Sequence, residues 1–151
     1  MITPPRNEAR GERVRTRPAA ALRYGAIWVA GAARTVDARR AVRAFLTRAA
    51  HTAGTHVTTR AEQDAQLVTS ELITNALRHA PGPCGLVLEL SADSTRLTVT
   101  VRDTSRTLPL VRARDGARVG GHGLYLVRAC SRALTATALP DGKQITAELA
   151  L

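Results

Sequence analysis

The sequence predicts an α+β protein, a two-layer α/β sandwich whose mixed, mainly antiparallel sheet carries its helices on one face. Three observations lead there. Apolar runs of strand length occur once near residue 25, twice in succession after residue 83 and twice more at the end of the chain. Two long stretches of helical periodicity separate the first run from the second, and a shorter one opens from glycines after residue 120. The resulting order is strand, helix, helix, strand, strand, loop, helix, strand, strand. It bunches strands instead of alternating them with helices, which argues against a doubly wound sheet.

Taken in order, ALRYGAIWVAG (21–31) is an apolar run bounded by Gly31 and reads as the first strand. Thr35 or Asp37 caps a helix to about Ala53, with Val36, Val42, Phe45 and Leu46 on its apolar side and Gly54 as its stop. Thr58 or Thr59 caps a second helix that continues to Ala80, where PGP (81–83) breaks it. Leu86–Leu90 and Leu97–Val101 are strands joined by the turn SADST. Residues 104–121, TSRTLPLVRARDGARVGG, form a long Arg-rich loop, and loops of that length in compact domains are usually either functional or disordered. GLYLVRACSRAL is a short amphipathic helix, and TATAL and QITAELAL close the chain as a strand pair across PDGK, with Asp-Gly as the turn. There is no internal repeat.

A chain of 151 residues suits one domain, here 21–151, preceded by a Pro-, Arg- and Glu-rich tail over 1–20 with little to bury. Apolar residues make up 44% but aromatics only 3%, so the core must be built from Leu, Val, Ile and Ala. No apolar run reaches the ~18 residues of a membrane span, and Met1–Pro5 is followed by charge, so a cytoplasmic location with no membrane contact is expected. Cys84 and Cys130 belong to no CxxC or Cys/His pattern, and the four histidines are scattered; neither a disulfide nor a zinc site is expected. The formal charge is +10, carried almost wholly by Arg, with Lys143 the only lysine. Such a balance can serve nucleic-acid binding, yet much of it lies in the tail and no recognition helix or interleaved aromatics accompany it. A dispersed, solvated charge that leaves room for an acidic protein partner or a nucleotide's phosphates is the better reading, and no direct nucleic-acid partner is expected.

Three places could hold chemistry. In ELITNALRHA (71–80), at about 100° per residue, Glu71 and Asn75 project about 40° apart at the margin of the apolar stripe formed by Ala65, Val68, Leu72, Ile73 and Ala76. Arg78 lies about 20° to the other side of Glu71 and His79 about 80° round. A carboxylate and an amide one turn apart suit a divalent cation and an activated water, as hard oxygen ligands; they equally suit the polar edge of an amphipathic helix. Asp103 follows an alternating strand and enters a loop, where it can accept from an exocyclic amine or simply start a turn. VGGHGLYLV (119–127) opens a helix with Gly120, Gly121 and Gly123, which permit backbone close to a phosphate or merely make a bend. It matches neither a P-loop nor a complete G-x-G-x-x-G.

Taken together and in this order, ELITN, then VRD at a strand end, then GGHGL before a helix, the set resembles the ATPase superfamily of gyrase, histidine kinases and related chaperones (GHKL). The form SELITNALRHA … VRDTSRTLP … GGHGLYLV … DGKQITAEL is similar to the small anti-sigma-factor serine/threonine kinases, ATP-binding regulators of bacterial transcription, over residues 22 to 151. The resemblance implies a Bergerat-type ATP-binding fold with ATP and Mg2+ as cofactors. It implies that Glu71 is the catalytic base, that Asn75 binds Mg2+, and that Arg78 and His79 lie in the same box near the phosphates. Asp103, with Ser105 beside it, would recognise adenine; Gly120, Gly121, His122, Gly123 and Leu124 would meet the phosphates, and residues 104–119 would form a lid. The partners implied are a sigma factor or an anti-sigma antagonist, with a homodimer as the analogous assembly. The chain departs from the pattern in having Ser105 where Gly is usual, Gln144 where a Thr usually supports adenine, and Ala138 and Ala147 where tryptophan is common. A kinase acting on an antagonist is the first functional expectation, a nucleotide-gated binding module the second, and nucleic-acid binding a distant third.

Overall fold

The computed structural model describes residues 19–80, 82–109 and 123–151. Most of the expected tail (1–18), most of the expected lid, and Gly120, Gly121 and His122 lie outside the described residues. The elements are β1 (Leu22–Trp28), α1 (Thr35–Ala53), α2 (Thr59–His79), β2 (Cys84–Leu90), β3 (Arg96–Asp103), α3 (Gly123–Cys130), β4 (Ala133–Leu139) and β5 (Gly142–Ala150). The five strands form one sheet in the order β1-β2-β3-β5-β4, and all four pairings are antiparallel.

Strand alternation divides the sheet into two unlike faces. Leu86, Leu88 and Leu90 of β2, Leu97, Val99 and Val101 of β3, and Ile145, Ala147 and Leu149 of β5 are buried on one of them. There they meet Val42, Phe45, Leu46 and Ala49 of α1, Val68, Leu72, Ile73 and Ala76 of α2, and Leu124 and Val127 of α3. The other face is polar. Arg96 Nη1 lies 3.3 Å from Glu148 Oε1 across β3 and β5, and the hydroxyls of Thr100 and Thr146 are hydrogen-bonded at 3.1 Å. One wet and one dry face is the pattern of an antiparallel sheet covered on a single side, and it gives the two-layer α+β architecture its shape.

The element ends show local chemistry at work. Thr58 caps α2 by accepting a hydrogen bond from the Ala61 N–H at 3.0 Å, and α2 stops at Ala80, before the PGP sequence. Gly54 ends α1 in the left-handed conformation, φ 64°, where its N–H reaches the Ala49 carbonyl. Three details differ from the sequence reading. The cap of α1 is Arg34, whose side chain makes no capping bond; Asp37 instead accepts from Arg34 Nε at 3.1 Å. The last helix stops at Cys130, because Arg132 already donates its N–H to the Glu148 carbonyl and draws the chain into β4. The final hairpin turns on Pro140 and Asp141, since Leu139 pairs with Gly142 inside the ladder. Gly142 is needed for room rather than for a turn: a Cβ there would run into the Asp103 carbonyl of β3. Among the described residues no helix is long and apolar enough to cross a membrane.

Candidate functional site

Helix α2 has a dry side and a working margin. Leu72, Ile73 and Ala76 are at most 1% exposed and hold the helix on the sheet, while Glu71 and Asn75 beside them are half-buried. The Glu71 carboxylate lies against the start of α3: a Cβ placed on Gly123 would collide with Glu71 Oε2. Only hydrogen fits at position 123 while Glu71 keeps this place. One turn along α2, Asn75 Oδ1 is buried, and among the described residues no donor reaches it. A buried carbonyl oxygen without a partner is costly and calls for a ligand or an ordered water. An amide oxygen of this kind is a hard donor that fits Mg2+ or one of its bound waters.

The second part of the site lies where β3 ends and β5 begins. Asp103 and Lys143 are register partners on the helix-covered face, and both side chains are almost wholly buried. Lys143 Nζ stands 2.9 Å from Asp103 Oδ2 and donates to Oδ1 at 3.1 Å; the Ser105 N–H donates to the same Oδ1 at 2.9 Å. Cys84, on the same face of β2, has its thiol pushed up to about 11 by burial and, secondarily, by the Asp103 charge. The two parts share one side of the sheet. Helix α2 packs over β3 and β5, and beyond its end a Cβ on Gly82 would come within 2.5 Å of Thr104 Oγ1, beside Asp103.

The other expected residues are placed unevenly. Leu124 is buried in the first turn of α3. Arg78 and His79 are exposed in the last turn of α2, where positive charge complements the helix dipole. Gln144 is paired with Arg102 on the opposite, polar face of the sheet, so the register sets Lys143 and not Gln144 beside Asp103. The sequence reading therefore passed over Lys143, although a signal was present: it is the one lysine in a chain that otherwise uses arginine for every fixed positive charge. Among the described residues no group of three or more His, Cys, Asp or Glu side chains could hold a metal by themselves.

Residues 32–149 match the model of the histidine kinase-like ATPase domain. The chain belongs to that family. Comparison with curated proteins gave no match. The histidine kinase-like ATPase assignment agrees with the five-stranded antiparallel sheet and its single helical layer, and it makes ATP the implied ligand. Within this histidine kinase-like ATPase domain, Glu71, Asn75 and Gly123 form one cluster, and Asp103 and Lys143 another.

Proposed function

We propose that the protein is an ATP-dependent serine/threonine protein kinase of the anti-sigma type, which phosphorylates a hydroxyl on an antagonist protein and thereby controls a bacterial sigma factor. The observation that supports it best is the pairing of a carboxylate placed against the α3 N-terminus with a buried amide oxygen, one helical turn away, that no donor reaches among the described residues. Phosphoryl transfer needs positioning and charge neutralisation more than covalent help from the enzyme. Asp103 would hold the nucleobase and the amides at the start of α3 the phosphates. Asn75 would hold Mg2+, which supplies charge neutralisation on the phosphate oxygens when bound. The substrate hydroxyl oxygen forms a bond to the γ-phosphorus, the bond from that phosphorus to the β–γ bridging oxygen breaks, and ADP leaves with its electron pair. Glu71 takes the hydroxyl proton on its carboxylate.

The test combines nucleotide binding with radiolabel transfer to a candidate antagonist. Glu71→Ala should keep ATP binding and lose transfer by about 100-fold or more, the range of a general base. Asn75→Ala should lose Mg2+-dependent binding by about tenfold or more. Binding by wild type and Glu71→Ala with transfer by neither would instead make the chain a nucleotide-gated binding module. No nucleotide binding in Mg2+ buffer would reject both readings.

A further inference from the structure

Gly123 opens α3 without being required by its own backbone. Among the described residues the glycines at positive φ are Gly31 and Gly54, so residue 123 has a conformation open to any side chain. Its surroundings give the reason instead. An added Cβ would clash with Glu71 Oε2, and it would stand 3.4 Å from Glu71 Cδ and 3.8 Å from Glu71 Cβ. These three nearest atoms belong to one side chain, whereas at Gly142 the obstacle is the Asp103 backbone. The two sides of the contact also differ in stiffness. Helix α3 cannot retreat, because Leu124 and Val127, 8% and 0% exposed, seat it in the core directly behind Gly123. The Glu71 tip can retreat. Its last torsion is a broad one, and among the described residues no hydrogen bond or ion pair holds the carboxylate. A side chain at 123 would therefore leave the fold standing and push the carboxylate aside.

We infer that Gly123 is a positioning residue for phosphoryl transfer, whose missing side chain keeps open the place from which the Glu71 carboxylate meets the acceptor hydroxyl. The inference rests on Glu71 being the base of the proposed function. A general base must stand within about 2.6–3.2 Å of the oxygen whose proton it takes. A misplacement of about 1 Å can cost about 100-fold in rate. The methyl group of an alanine at 123 would take the space that the carboxylate oxygen now fills. This role is separable from that of a phosphate-binding amide, because alanine keeps the N–H that a phosphate oxygen would meet.

The experiment compares the full chain with Gly123→Ala by urea midpoint, ADP dissociation constant in Mg2+ buffer, carbon-13 NMR of the Glu71 carboxyl, and single-turnover release of labelled phosphate from ATP. In the last, water replaces the protein hydroxyl: its oxygen bonds to the γ-phosphorus, ADP leaves with the bridging electron pair, and Glu71 takes the proton. The variant should unfold at no lower urea than wild type, since alanine suits a helix better than glycine. It should bind ADP within about threefold of wild type, with the Glu71 resonance displaced and phosphate release about 100-fold slower. Glu71→Asp withdraws the carboxylate by one methylene, so Gly123→Ala/Glu71→Asp should release phosphate about tenfold faster than Gly123→Ala alone. A glycine needed only for the fold would show no such relief. An unmoved resonance with unchanged release would overturn the inference and leave the kinase reading intact. A lowered urea midpoint, or a loss that the double variant does not relieve, would overturn it too. ADP binding by wild type with no phosphate release over hours would remove the base role of Glu71, and the positioning role with it.

Discussion

Cys84 shows how far one side chain's surroundings reach. Its sulfur lies in the core layer, 4% exposed, and burial together with the Asp103 charge raises its titration to about 11. A thiol whose folded-state value exceeds its unfolded one favours the native state below the unfolded value of ~8.5, and that contribution fades as pH climbs toward 11. Native stability should therefore fall between about pH 9 and 11, measured by urea midpoints, with the fall reduced in Cys84→Ala. In the native protein at pH 8 the thiol should alkylate far more slowly than in urea, since the thiolate is the reactive form. Residue-scale features of this type are hard to read from sequence. Cys84 and Asp103 are 19 positions apart and on different strands, and only the β2–β3 register brings their ends of the sheet together.

At the scale of elements the sequence was more legible. The periodicity of α1 and α2, the Gly54 stop and the two middle strands are local signals, and they reappear in the structure within a few residues. The illegible features depend on partners distant in the chain. Cys84, Gly85, Arg102 and Asp103 extend β2 and β3 beyond their apolar runs because neighbouring strands continue the ladder. Gly142 resembles half of an Asp-Gly turn until the Asp103 carbonyl is seen pressing on it. Thr58, by contrast, does what a threonine before a helix should do. Thr58→Ala should lower stability by about 1 kcal/mol, the usual worth of such a cap, in chemical denaturation. A change below about 0.2 kcal/mol would mean that tertiary packing alone fixes the start of α2.

For the molecule as a whole, α2 joins core and site on one helix. Leu72 is buried beside Glu71, and Leu72→Ala should cost about 2–5 kcal/mol in urea unfolding. If the native state binds nucleotide, ADP with Mg2+ at 100 times its dissociation constant should return about 2.7 kcal/mol to the variant and to wild type alike. Half of the candidate site was visible in ELITN and VRD because both sit on elements with clear periodicity. The other half was not, because strand pairing decides whether residue 143 or 144 turns toward Asp103.

That same register has a consequence for folding fidelity. Side chains alternate along a strand, so sliding β5 by one residue would replace Lys143 beside Asp103 with Gln144 or Gly142. Either slip would carry Ile145, Ala147 and Leu149 to the wet face and leave a carboxylate in the dry layer without its counter-charge. Apolar strands of similar residues can mispair cheaply, but a single matched pair of opposite charges makes the wrong alignment expensive. Lys143 and Asp103 act together as a proofreading mark, by which the β4–β5 hairpin recognises its correct seat on β3.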